Sequence, residues 1–116
     1  MANDQLLIKQ LAQKRPSTTN ATVAIYKPKK RKLVIKTIHV TNTTGNALAY
    51  YIYLDKDGST YDASTALYNG VTLAANTTVM HEFANGLPFD PDAAGNLAVK
   101  SSEANAINFT IDGIEA

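Results

Sequence analysis

From residue 21 onward, apolar and polar side chains alternate with a period of two, and glycine, asparagine and aspartate break the pattern every few residues. A strand sends successive side chains to opposite faces, so this spacing predicts strands and argues against helices. Leu48, Tyr50, Ile52 and Leu54 alternate with Ala47, Ala49, Tyr51, Tyr53 and Asp55, while Ile107, Phe109 and Ile111 alternate with Asn108, Thr110 and Asp112. Each run puts one face on a core. Further runs cover 21–26, 33–42, 71–73, 78–83 (Val79, His81 and Phe83 on one side) and 97–101 (Leu97 and Val99 inward). About seven short strands in 116 residues predict an all-β fold, a single antiparallel β-sandwich of jelly-roll-like type. A chain of this length buries roughly two thirds of its unfolded surface and can form one domain alone.

The punctuation fits tight turns. Asn42-Thr43-Thr44-Gly45-Asn46, Asp57-Gly58, Asn69-Gly70, Ala75-Asn76 and Gly95-Asn96 supply residues that tolerate positive φ, so hairpins are the expected connections. Residues 90–96 read as a longer solvated loop, or an exposed contact loop. Residues 1–20 differ from the rest. Leu6, Leu7, Ile8 and Leu11 fit one side of a short helix, Leu6 and Ile8 fit a strand equally, and Pro16 ends any helix. This segment has too few apolar positions for a core of its own, so it reads as an N-terminal arm over 1–20 that packs on the sandwich domain of 21–116 or reaches a neighbour.

Charge is divided along the chain. Residues 1–36 hold nine basic residues and one acid, Asp4, a net of +8; residues 37–116 hold Lys56 and Lys100 against nine acids, a net of −7. The pattern suggests a surface that docks, including onto further copies of the chain, so a homo-oligomer is expected. With no cysteine, disulfides, thiolate catalysis and cysteine-ligated metals are excluded. No run of 18 apolar residues and no basic-then-apolar leader occur, which predicts a soluble chain made inside a cell, with no membrane partner. The triplets starting at Asn20, Asn42, Asn76 and Asn108 then read as strand ends and turns instead of glycan acceptors.

Few residues suggest chemistry. Lys27-Pro28-Lys29-Lys30-Arg31-Lys32 puts five cations in six residues, enough to contact phosphates. A solvated turn is the preferred reading over nucleic-acid binding, because interleaved aromatics and a presented helix are both missing. Asp55-Lys56-Asp57-Gly58-Ser59 resembles the start of a calcium loop, but its sixth and twelfth positions are Thr60 and Ala66, so no metal is expected; a weak site would need Asp62 as a third oxygen donor. His39 and His81 stand alone in strand patterns, and no nucleophile turn or phosphate-cradling loop accompanies them, so neither an enzyme nor a cofactor is expected. Tyr50, Tyr51, Tyr53, Tyr61 and Tyr68 crowd one region. Tyr50 belongs to the core face; Tyr51 and Tyr53 on the opposite face are either covered or used as contacts, or with Tyr61 form a sugar-binding platform.

Tyr26-x-Pro28 with its basic turn, the strand ending at Asn42-x-Thr44-Gly45, Leu67-Tyr68 with Val71-x-Leu73-Ala74-Ala75-Asn76, Gly86-Leu87, and Val99-x-Ser101-Ser102-x-Ala104-Asn105 with Phe109-Thr110 together resemble a known group. They are similar to the small β-sandwich structural proteins of tailed-bacteriophage virions, over about residues 21–115. The resemblance implies a non-enzymatic building block, assembled in the host cytoplasm into the virion. It implies contacts with the major capsid protein as decoration or cement, or with tail proteins as an adaptor or fibre-attachment piece. The chain departs from that pattern at Lys29, Lys30, Arg31 and Lys32, where similar chains carry a small neutral turn. The interface expected on this basis comprises Leu6, Leu7, Ile8, Leu11, Lys29, Lys30, Arg31, Lys32, Tyr51 and Tyr53, and the alternatives are a carbohydrate-binding adhesion module or a nucleic-acid module using 27–32.

Overall fold

The alternating runs become strands, and one more strand precedes them. In a computed structural model, which describes residues 9–19, 23–26, 33–55, 60–89 and 96–115, the elements are β1 (Lys9–Lys14), β2 (Val23–Tyr26), β3 (Leu33–Asn42), β4 (Leu48–Asp55), β5 (Ala66–Leu73), β6 (Thr78–Phe89), β7 (Asn96–Ser101) and β8 (Ile107–Glu115). They form two four-stranded antiparallel sheets, β1-β8-β3-β6 and β2-β7-β4-β5. This order is the eight-stranded double Greek key of a jelly roll.

The order corrects the expected hairpins. Among the described strands only β4 and β5 are both consecutive and paired; every other connection carries the chain from one sheet to the other. Turn residues explain a chain reversal, but not whether the next strand pairs beside the last or crosses to the facing sheet. The segment expected to be an arm supplies a strand over Lys9–Lys14, with Gln13 opposite Thr110 and Ala12 opposite Ile111 in β8. Leu11 and Ala12 pack against the core of their own domain. Its few apolar residues suffice because β8 already offers a paired edge and a buried face.

Two further boundaries move. Asn69-Gly70 lies inside β5 instead of between strands: Tyr50 pairs with Val71 and Tyr51 with Asn69, leaving Gly70 (φ 68°) as the extra residue of a bulge. β6 runs on to Phe89 because its register against β3 jumps between Glu82 and Leu87. Gly86 sits in that jump at φ 77°, where a Cβ would stand 2.0 Å from Val34 Cγ1.

The core lies between the sheets. Ile35, Ile38 and Val40 of β3 and Ile107, Phe109 and Ile111 of β8 face Tyr50 and Ile52 of β4 and Leu97 and Val99 of β7, all fully buried. On the β5/β6 side the sandwich closes on aromatics. His81 of β6 stacks on Tyr68 of β5, centroids 3.8 Å apart, and His81 Nε2 shares a 2.7 Å hydrogen bond with Tyr50 Oη. Tyr50 also meets Phe109 edge-on at 6.4 Å.

One end of the sandwich is tied by hydrogen bonds. Asn42, only 1 % exposed, donates from Nδ2 to the carbonyls of Asn46, Leu73 and Ala74, and its Oδ1 accepts from Thr44 N and Oγ1. This buried amide, which the sequence presents as a glycan-acceptor triplet, joins the β3–β4 and β5–β6 connections. Thr43 N donates to Ala106 O, Asn76 N to Thr44 O, and Asn105 N to Pro16 O. Asn76 and Asn105 turn the chain at positive φ, 51° and 54°.

Candidate functional site

A sandwich of this kind offers two outer sheet faces, its edges and its two ends. On the first sheet, residues opposite one another form polar rows: Gln13, Thr110, His39 and Met80; Gln10, Asp112, Thr37 and Glu82; Asn108, Thr41 and Thr78. Alternation dictates this, since the same strands turn Ile38, Val40, Phe109 and Ile111 inward. The rows are cross-linked. His39 Nε2 lies 3.4 Å from Asp112 Oδ2, Thr37 Oγ1 donates to the same oxygen at 3.4 Å, and the Thr41 and Thr78 hydroxyls bond at 2.9 Å. Met80, 50 % exposed, is the large apolar residue of this face. Two open grooves flank it, one of about 290 Å³ lined by β1 and β8 residues near Arg15, the other of about 350 Å³ lined by Lys36, Thr37, Glu82, Phe83 and Ala84.

The outer face of the second sheet carries the tyrosines. Tyr51 and Tyr53 stack with centroids 6.2 Å apart and planes 4° apart, Tyr61 leans on Tyr53 at 6.3 Å, and the Lys100 ammonium sits 4.1 Å over the Tyr51 ring. Lys100 reaches Tyr51 because the two are cross-strand partners. Tyr53, expected at an interface, is 2 % exposed, with the Tyr51 and Tyr61 rings against it. Tyr51 remains half-buried, with Lys100 on its ring.

Of the other expected interface residues, Leu11 packs inward on its own core. Leu6, Leu7, Ile8, Lys29, Lys30, Arg31 and Lys32 lie outside the described residues. The strand ends that flank the basic run are described. Leu33 pairs with Phe89 and Glu115, Tyr26 with Leu97, and Asp55 with Asn96. The ends bracketing 27–32 therefore stand beside those that open onto the acid-bearing segments 55–62 and 90–92.

His81 and Tyr50 were legible only as an inward histidine and a core tyrosine. Burial holds His81 below the usual histidine range; burial, then the neighbouring Tyr68, raises Tyr50, and burial raises Tyr68. All three are neutral at pH 7, and the pair works as a hydrogen bond between sheets. Asp62 accepts from Ser64 N and Oγ, and Asp55 Oδ2 accepts from Thr60 N at 2.6 Å, so both carboxylates cap turn groups. Among the described residues no three metal-ligating side chains converge. The groove beside Arg15 had no sequence signal, because Gln13 and Thr110 are brought together only by the pairing of the first and last strands. No known protein family matches the chain, and no curated protein matches it in sequence.

Proposed function

We propose that the chain is a structural component of a tailed-bacteriophage virion, a decoration or cement protein of the head that contacts the major capsid protein and neighbouring copies of itself. The observation that carries this reading is the eight-stranded jelly roll whose first sheet presents three rows of mostly polar side chains on its outer face. Jelly rolls serve in viral capsids and in lectins, and fold alone does not choose between them. The tyrosine face weighs against the lectin use: sugar stacking needs open aromatic faces, whereas Tyr53 is closed over and Lys100 sits on Tyr51. The likeness of residues 21–115 to virion β-sandwich proteins points the same way, and it also admits a tail adaptor or fibre-attachment piece.

Gold-labelled antibody raised against the chain, applied to particles from its native source, tests the reading. Label spread over the head is the expected result. Label confined to the tail transfers the role to the tail piece, and particles without label overturn the virion assignment.

A further inference from the structure

The two sheets end on four edge strands, β1 and β6 in one and β2 and β5 in the other. An edge strand presents unpaired backbone donors and acceptors, and proteins blunt such edges with lysines, bulges, prolines or shortness. Three of the four are blunted. β1 has a lysine at each end, β2 is four residues long, and β5 is broken by the bulge at Gly70. The first half of β6 carries none of these devices: Thr78 to Glu82 pair with Thr41 to Thr37 of β3 without a shift, and Glu82 is their one carboxylate. The plain edge stops there, since Lys36 Nζ donates to Ala84 O at 3.0 Å, the register then jumps, and Pro88 follows. At the middle of this stretch stands Met80, the most exposed large apolar side chain among the described residues.

The stretch is complementary to itself. Antiparallel pairing of β6 with a second β6 about a twofold axis must set outward residues opposite outward ones, so the axis passes through a residue. Centred on Glu82, the pairing opposes two carboxylates; centred on His81, it sets Glu82 against Met80. Centred on Met80, it sets Met80 against its own copy, Val79 against His81, and Glu82 against the hydroxyl of Thr78, with no like charges opposed. That register also joins the outer rows: the row ending in Met80 continues into the same row of the second copy, and the row ending in Glu82 continues into the one that begins with Thr78.

We propose that a second copy of the chain pairs antiparallel along Thr78 to Glu82 with Met80 on the twofold axis, which joins the two β1-β8-β3-β6 sheets into one continuous sheet. The pairing is a property of the isolated chain. Its failure removes this contact between copies and leaves the particle assignment, which antibody labelling tests, standing.

Sedimentation velocity of the full chain, from about 10 to about 500 μM, tests it, with a monomer–dimer equilibrium as the expected result. Met80→Lys brings two ammonium groups together at the axis and weakens dimerisation at least about tenfold, whereas Gln13→Lys, at the far end of the same row, changes it less than about twofold. Thr78→Glu also weakens it, by facing Glu82 of the second copy, and adding Glu82→Lys to that variant restores dimerisation to within about threefold of the parent. If Met80→Lys loses the parent's circular dichroism spectrum, Thr78→Glu and the double variant decide alone. A chain that stays monomeric overturns the proposal, as does a dimer that folded Met80→Lys leaves intact. A double variant no stronger than Thr78→Glu overturns the Met80-centred register.

Discussion

Single residues carry more of this fold than their types suggest. Asn42 satisfies three carbonyls with one amide nitrogen, and Leu73 O is among them. Asn42→Ala strands buried acceptors and removes the Thr44 contacts, so it should cost about 2–3 kcal/mol in urea unfolding with an unchanged m-value. His81 makes stability depend on pH. Its folded-state pKa is depressed by burial below the ordinary value of 6.5, so between those two values the unfolded chain binds more protons than the folded one. Stability is then complete above pH 6.5 and declines as pH falls through that value toward the folded pKa. Thermal melts at about pH 7.5 and pH 5.5 should show the decline in the parent and a smaller one in His81→Gln. Gly113 has no room for a side chain: a Cβ there would lie 2.2 Å from Val34 O and 2.9 Å from Leu11 Cδ1. Gly113→Ala should therefore cost about 2–3 kcal/mol, although its φ is not in the left-handed region.

At the scale of elements, period two identified the runs of β3, β4, β7 and β8, and for β4, β7 and β8 the correct inward residues, because half-buried strands write their burial into alternate positions. β1 and the full length of β5 were not legible. β1 has only Leu11 and Ala12 to turn inward, and its strand character comes from pairing with β8. β5 is interrupted at Gly70, whose sequence signature is the same for a turn and for a bulge. Because β1 completes a sheet, removing residues 1–15 uncovers the edge of β8 and should lower unfolding stability by at least about 3 kcal/mol. Unchanged stability with lost self-association would instead mean that the segment acts between molecules.

For the whole molecule, the sheet order could not be read from the chain, since turn chemistry does not say which sheet the next strand joins. Nor could the grouping of strand ends: Tyr26 and Leu33, which flank the basic run in sequence, pair with Leu97 and with Phe89 and Glu115. Of the candidate site, the outward Tyr51 and Tyr53 were legible from alternation, whereas the burial of Tyr53 and the groove at Arg15 depend on neighbours distant in sequence. Light scattering at about 50 mM and about 500 mM salt should show any self-association weakening with screening. The most direct test of the virion assignment is quantitative mass spectrometry of gradient-purified particles from the native source, before and after a high-salt wash. A fixed ratio of this chain to the major capsid subunit, reduced by the wash, is the predicted result; particles that never contain the chain would contradict it.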